Sequence, residues 1–408
     1  MITHSVRMVE TVAGGVATPL GFCAAGHYVG IKAPGRGLDL ALIVSDRPAT
    51  AAAVFTLNRA QAAPVLVSKE HLAASSGTAR AVIVNSGCAN ACTGDVGLQD
   101  AHEMARITAA LVDCPVEQVL VASTGVIGVN LKMDKIRDGL GPTFAALAAD
   151  QGPAAAQAIM TTDPFPKEAA ARLRIDDATI TIGGMCKGSG MIEPMMATML
   201  GFVTTDAAVP QALLARALRE VVDDTFNAIT VDGECSTNDC VMILANGASG
   251  VTIDDQSYDM FAEALGAVCL PLAIAIVRGG EGATKLVTVN VTGAASVEDA
   301  RRCAKAIANS PLVKTAIHGG DPNWGRLIAV AGRAGVAFEL ERAEVTIGPI
   351  VLFKNGRPYD DAAPEAASYL KHAEVSVGVN LGVGPESSTV WTCDLSAEYV
   401  RINAEYRT

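Results

Sequence analysis

Apolar and polar positions alternate with a period of two over residues 178–182 (Ala-Thr-Ile-Thr-Ile) and again over 374–381 (Glu-Val-Ser-Val-Gly-Val-Asn-Leu), the pattern of half-buried strands. The apolar run Ala81-Val82-Ile83-Val84 reads as a further strand, and residues 119–128 as a strand followed by a glycine turn. Residues 38–45 and 51–56 predict two strands paired across an Asp46-Arg47-Pro48 turn, and residues 14–32 predict short strands punctuated by glycine. Helical spacing takes over at 97–112, where Met104, Ile107 and Leu111 share a face. It returns at 211–222, where Pro210 opens a stripe of Leu213, Leu214, Ala217, Leu218 and Val221. Residues 131–151 predict one or two helices broken at Gly139 to Pro142, and Ser296-Val297-Glu298-Asp299 resembles a capping box that starts a helix through Ala308. Residues 257–268 predict a helix that gives way to the apolar run 267–277, read as a buried strand or as the end of a core helix. Strands and helices mixed in this way predict an α/β protein.

Composition narrows the class. The chain has 408 residues, half of them hydrophobic and 18% charged, enough for a large interior divided into two or three structural units. The formal net charge is −12 with no dense block of lysine or arginine, which disfavours nucleic acid and anionic membrane as partners. The longest apolar run falls short of the ~20 residues of a spanning helix, and the first residues lack the basic-then-apolar order of a secretory signal. These features predict a cytoplasmic protein with no membrane partner. Ten cysteines stand without a CxxC pair, and the six histidines do not fall at zinc spacing beside them. Buried reduced thiols are the expected state and no metal site is predicted.

The chemistry concentrates in one string, Gly183-Gly184-Met185-Cys186-Lys187-Gly188-Ser189-Gly190-Met191-Ile192-Glu193-Pro194-Met195-Met196-Ala197-Thr198-Met199-Leu200. It leaves a strand, breaks into glycines around a lysine, and sets a polar Thr198 inside an apolar segment. On composition alone the preferred explanation is a threonine on a buried strand, its hydroxyl bonded to backbone. Two more strings combine small and polar residues after apolar runs: 85–94, placed as the wall of a pocket, and Thr230-Val231-Asp232-Gly233-Glu234-Cys235-Ser236-Thr237-Asn238-Asp239. The acids of the second do not match a calcium loop.

The string from Lys187 to Leu200 resembles the signature of the ornithine acetyltransferase (glutamate N-acetyltransferase) family. The likeness extends from Asn58-Arg59-Ala60 through 230–239, Glu281-Gly282-Ala283-Thr284-Lys285 and 319–326 to Asn403. In the family Asp-Thr is more usual at Glu234 and Cys235, and an acid more usual at Gly279. The resemblance implies a layered α-β-β-α sandwich similar to N-terminal nucleophile hydrolases. It also implies self-cleavage between Ala197 and Thr198 into an α chain (1–197) and a β chain (198–408), assembled as a heterotetramer. By the same resemblance Thr198 is the nucleophile, Thr124 and Gly125 form an oxyanion hole, and Thr161, Lys187, Thr198, Glu281, Asn403 and Thr408 bind substrate. Spacing to Lys187 favours Thr161 over Thr162.

The implied reaction is a ping-pong transfer of acetyl from N-acetyl-L-ornithine to L-glutamate in arginine biosynthesis, without cofactor or metal. Acetyl-CoA (acetyl-coenzyme A) remains open as a co-substrate. The residue types suit this chemistry, because a threonine hydroxyl needs a base and the α-amine freed by cleavage, with a pKa of about 7.7–8.0, supplies one. Two other readings stay open from sequence: an amidase or aminopeptidase with the same nucleophile, and a binding protein that keeps the fold with Thr198 uncleaved.

Overall fold

The computed structural model describes residues 9–193 and 199–405. Ala197, Thr198 and Thr408 lie outside the described residues. The first part of the chain runs through β1 (Val9–Val12), β2 (Phe22–His27), β3 (Leu40–Phe55), α1 (Ala63–Ala74), β4 (Thr78–Cys88), α2 (Gly94–Val112), β5 (Val119–Val126), α3 (Met133–Ala145), α4 (Gly152–Ala158), β6 (Lys167–Ile175) and β7 (Ala178–Lys187). It continues through β8 (Leu200–Thr205), α5 (Gln211–Asp224), β9 (Cys240–Ala245) and α6 (Tyr258–Arg278). The remainder is β10 (Leu286–Ala294), α7 (Val297–Ala308), α8 (Pro311–Gly319), α9 (Trp324–Arg333), β11 (Glu344–Ile347), β12 (Ile350–Lys354), β13 (Arg357–Pro358), α10 (Ala363–Tyr369), β14 (Glu374–Asn380), β15 (Glu386–Cys393) and α11 (Ala397–Glu405).

Among the described residues the strands form two sheets. The larger has nine strands in the order β1-β6-β7-β8-β9-β3-β4-β5, with β2 beside β3. Period-two alternation sends successive residues of these strands to different cores. Val241 and Ile243 of β9 pack with Leu214 and Leu218 of α5 and Phe261, Leu265 and Leu272 of α6. Their neighbours Met242 and Leu244 instead join Phe202 of β8 and Ala41, Ile43, Val82, Val84 and Leu120 of β3, β4 and β5. The other face of those last strands, Leu42, Ile83 and Val121, packs with Val67 of α1, Met104 of α2 and Ile136 of α3. The smaller sheet, β13-β12-β11-β14-β10-β15, buries Val287, Val289, Val375 and Val377 against Ala300 and Ile307 of α7 and Leu327 of α9.

Three elements differ from the sequence expectation. In place of two strands at 38–45 and 51–56 there is one strand, β3 (Leu40–Phe55), and not a hairpin. Its first part pairs with β2 and its last part with β9, and the register against β4 shifts between Val44 and Ala49. Asp46, Arg47 and Pro48 are the exposed bulge where the shift occurs, a position that tolerates a residue without an N–H. Residues 133–145 form a single helix through Pro142, whose missing bond frees the carbonyl of the exposed Asp138. Residues 258–278 are one helix, α6, with Pro271 on its exposed side, so the end of a core helix is the correct reading of the apolar run and the strand is not. Among the described residues α6 is long and apolar enough to cross a membrane, and half of its apolar window is buried in the protein, where it packs against α5, β6 and β7. The capping position at Ser296 is as expected, its hydroxyl accepting the Asp299 N–H at 3.1 Å.

Candidate active site

Strand ends and loops far apart in sequence converge on one cavity of about 140 Å³. Its lining includes Thr124 and Gly125 at the end of β5, Thr161 and Thr162 after α4, Lys187 at the end of β7, Glu281 after α6 and Asn403 on α11. Every predicted site residue within the described chain is therefore in one place, and Thr161 and Thr162 both line the cavity. Met199 and Leu200, which follow Thr198 in the chain, line it too.

The β5 end is shaped by two glycines. Gly125 has φ +131° and lies against Gly87 of β4; a Cβ on Gly125 would sit 2.3 Å from the Gly87 carbonyl carbon. Gly125→Ala is therefore expected to cost about 2–3 kcal/mol, from an unfavourable φ plus overpacking, and to lower the melting temperature measurably. Asn238 locks this turn: its Nδ2 donates to the carbonyls of Ala89 and Ser123 at 2.6 and 2.8 Å, and its Oδ1 accepts from the Thr237 hydroxyl at 2.6 Å. The carbonyl of Ser123 belongs to the peptide that leads into Thr124, so Asn238 sets where Thr124 points.

A buried charge cluster lies beside Thr161 and Lys187, which line the cavity. Asp163 and Lys167 have side chains with no exposure and meet at 2.6 Å. The Asp163 carboxylate also accepts the N–H of Gly188 at 2.7 Å and of Thr161 at 3.0 Å, so one side chain positions both the Lys187 turn and the threonine loop. Burial alone would raise the Asp163 pKa, but Lys187 and Lys167 together bring it down to about 2. For Lys187, burial lowers the pKa, while Asp163, Asp239 and Glu281 work against that shift. An ammonium held this way at a cavity wall is suited to a ligand carboxylate, because the ligand restores solvation that burial removed.

The loop 231–240 ties down both approaches to the segment that contains Thr198. Asp232 accepts the N–H groups of Met191 and Ile192, each at 2.7 Å, and Val231 donates to the Ile192 carbonyl at 2.7 Å. On the far side the Cys240 N–H donates to the Met199 carbonyl at 3.1 Å. Glu281 reaches the cavity because Gly190 has no side chain: a Cβ there would lie 2.3 Å from Glu281 Oε2. The same Oε2 accepts from Asn403 Nδ2 at 2.8 Å, and Tyr399 of α11 donates to Asp232 at 3.3 Å. The helix is held there by Asp394, which accepts the N–H groups of Thr284 and Lys285, and by Ser396, which donates to the Gly282 carbonyl.

Two residues in or beside the strings that carry the family resemblance lie elsewhere. Cys186 is fully buried, its thiol pushed up to about 12 by desolvation, and is inert packing. Arg326 donates to the Leu312 carbonyl near the start of α8, and Asn323 caps α9. Sequence reasoning missed Asp163, Lys167, Asn238 and Asp239 as site residues. Polar side chains flanking apolar strands were their one signal, and whether such residues are buried is not written in the local pattern. Among the described residues no group of three or more His, Cys, Asp or Glu is arranged to hold a metal ion.

A profile of the ArgJ family matches residues 23–408. The arginine biosynthesis bifunctional protein ArgJ of Symbiobacterium thermophilum is 50% identical over 406 residues, covering 98% of this chain and 100% of that protein. Its Bacillus cereus counterpart is 46% identical over 407 residues, covering 99% of each. The crystal structure of arginine biosynthesis bifunctional protein ArgJ from Bacillus halodurans matches with 46% identity and a TM-score of 0.50, over 51% of this chain and 100% of that one. With a family match over nearly its whole length and relatives this similar from end to end, the chain belongs to the ArgJ family.

Proposed function

We propose that this protein transfers the acetyl group of N-acetyl-L-ornithine to L-glutamate in arginine biosynthesis, in the cytoplasm, after cutting itself between Ala197 and Thr198. The observation that carries this reading is the single cavity in which Thr124, Gly125, Thr161, Lys187, Glu281 and Asn403 meet beside Met199, the residue after Thr198. The cut yields chains of 1–197 and 198–408 that remain together and assemble as a heterotetramer. The solved relative, a separate chain spanning about half of this one, supports that division. The three core clusters support a layered α-β-β-α arrangement, helices α5 and α6 on one side, α1 to α3 on the other, and two facing parts of the large sheet between them.

In the first half-reaction the Thr198 hydroxyl gives its proton to the Thr198 α-amine and attacks the acetyl carbonyl carbon. Thr124 and Gly125 donate to the tetrahedral oxyanion, a contribution worth about 10²–10³ in kcat per donor. The amine returns the proton to the leaving nitrogen, ornithine departs, and the acetyl group stays on Thr198 as an ester. In the second half-reaction the amine of glutamate attacks the ester, and release of N-acetylglutamate restores the hydroxyl. Lys187 takes the amino-acid carboxylate, while Thr161, Glu281, Asn403 and Thr408 hold the rest of the substrate.

The relatives' name, a bifunctional protein, motivates a second donor, acetyl-CoA, in the same assay. The purified protein should run as two bands of nearly equal mass on a denaturing gel. It should convert acetylornithine and glutamate into acetylglutamate with negligible free acetate. Acetate in place of acetylglutamate would assign an amidase, and an intact chain without turnover would assign a binding protein.

A further inference from the structure

The loop between β2 and β3 carries a half-buried cation, Lys32, that has no part in the scheme above. Asp39, with no exposure, gathers this loop by accepting the N–H groups of Val29, Gly30 and Lys32 at 2.6, 3.1 and 2.9 Å. The Lys32 ammonium donates to two backbone carbonyls, that of Leu38 in the same loop at 2.6 Å and that of Met160 after α4 at 2.7 Å. A cation withdrawn from water needs such bonds to offset its lost hydration, so its position is well determined. The bond to Met160 is the informative one. The Met160 carbonyl and the Thr161 N–H belong to one peptide group, and that N–H donates to Asp163 at 3.0 Å. Lys32 and Asp163 therefore hold a single planar peptide from its two ends, and the residue that follows it, Thr161, lines the cavity.

The stem of Lys32 touches a second part of the same wall. A Cβ on Gly87 of β4 would lie 2.9 Å from Lys32 Cγ, and Gly87 is the residue that lies against Gly125. Lys32 thus passes over the neighbour of the Thr124–Gly125 turn and ends on the loop that carries Thr161.

We infer that Lys32 is a positioning residue for substrate binding, its ammonium fixing the Met160–Thr161 peptide so that the Thr161 side chain is held ready for the amino-acid part of the substrate; this rests on the reading in which Thr161 binds acetylornithine. Asp163 alone would leave that peptide tethered at its N–H and free to swing at its carbonyl. With the carbonyl fixed as well, the ordering cost is met when the protein folds and not when the substrate binds. The effect falls on KM, because the group that Lys32 steadies is a ligand contact and not a donor to the oxyanion.

The device is sensitive to pH with a definite sign. Burial lowers the Lys32 pKa to about 8, against Asp39 and Asp163 and with a further lowering from Lys187, and these three are the charged groups that face it. Below that value the bond to Met160 is charge-assisted, and above it the neutral amine donates about half as strongly.

Lys32→Met keeps an unbranched stem over Gly87 and removes the donor. Steady-state kinetics should show KM for acetylornithine raised about tenfold, the low end for loss of a charged hydrogen bond, with kcat within about threefold. Lys32→Arg, which keeps a donor, should recover most of that loss. Its KM should also rise less than that of wild type between pH 7.5 and 9, about the range in which lysine here gives up its charge and a guanidinium does not. In a Thr161→Ala background Lys32→Met should add less than about twofold to KM, because contacts that act through one group do not add. Full additivity there, or Lys32→Met with the KM of wild type while Thr161→Ala raises it, would overturn the inference and leave the parent reading standing. Thr161→Ala with an unchanged KM would remove the parent reading instead. Should Lys32→Met fail to fold, Lys32→Arg decides: a KM profile that follows wild type through pH 9 would sink the proposal.

Discussion

Thr198→Ala is expected to give a single full-length band and to lose acetylornithine:glutamate transfer by at least about 10⁴-fold, the scale seen when a nucleophile is removed from a site that acts as a unit. Two functions fall with one oxygen, because the hydroxyl that cuts the chain is the one that carries the acetyl group. Thr198→Ser, which keeps a hydroxyl, should retain cleavage and a measurable fraction of turnover. Acetylglutamate formation and intact mass read both outcomes. A Thr198→Ala chain that turns over normally would end the nucleophile assignment, whatever else the cavity does.

The largest expected effect on stability belongs to Asp163. Its side chain is fully buried with Lys167, close to Lys187, and accepts two backbone N–H groups. Asp163→Asn leaves the buried Lys167 without its counter-charge and takes one of three from Lys187, and breaking a buried pair from one side costs about 3–5 kcal/mol. Thermal unfolding should show a drop of several degrees, and substrate KM should rise because Thr161 and Lys187 lose the group that positions them. The pH dependence carries a definite sign. The folded pKa of Asp163 is about 2, below the unfolded value of 3.8, so its contribution is present above pH ~4 and is lost as pH falls toward 2. That window corresponds to about 2 kcal/mol at 1.36 kcal/mol per pKa unit. It is smaller than the mutational cost because protonation leaves hydrogen-bonding capacity that substitution rearranges. Acid titration of wild type should therefore lose more stability between pH 4 and 2 than the same titration of Asp163→Asn.

Much of the site was legible before any coordinates. The string from Lys187 to Leu200 identified the family, and the positions carried over with it, Thr124, Gly125, Thr161, Lys187, Glu281 and Asn403, line one cavity. The less legible part was the support beneath them. Asp163, which the sequence pattern does not mark out, is the hub that joins Thr161 to Gly188. Asn238 and Asp239 read as a polar approach to a strand, yet one clamps the end of β5 and the other is buried with a free oxygen. Elements with a strong period were placed well, as at 97–112 and 211–222. Errors fell where a local signal competes with long-range packing: a proline in α3, a proline in α6, and a three-residue bulge in β3 that resembles a turn.

By itself the sequence determined which residue types are present for acyl transfer, the strands and helices with clear periodicity, and the family to which the chain belongs. Only the tertiary structure decided that α6 is continuous, that β3 bridges two parts of one sheet, and that four charged groups, Asp163, Lys167, Lys187 and Asp239, are buried together. The physical reason is range. Periodicity and turn chemistry act over a few residues and leave their mark in the local string, whereas burial and electrostatic coupling depend on neighbours tens to hundreds of positions away, which the chain brings near only when it is folded.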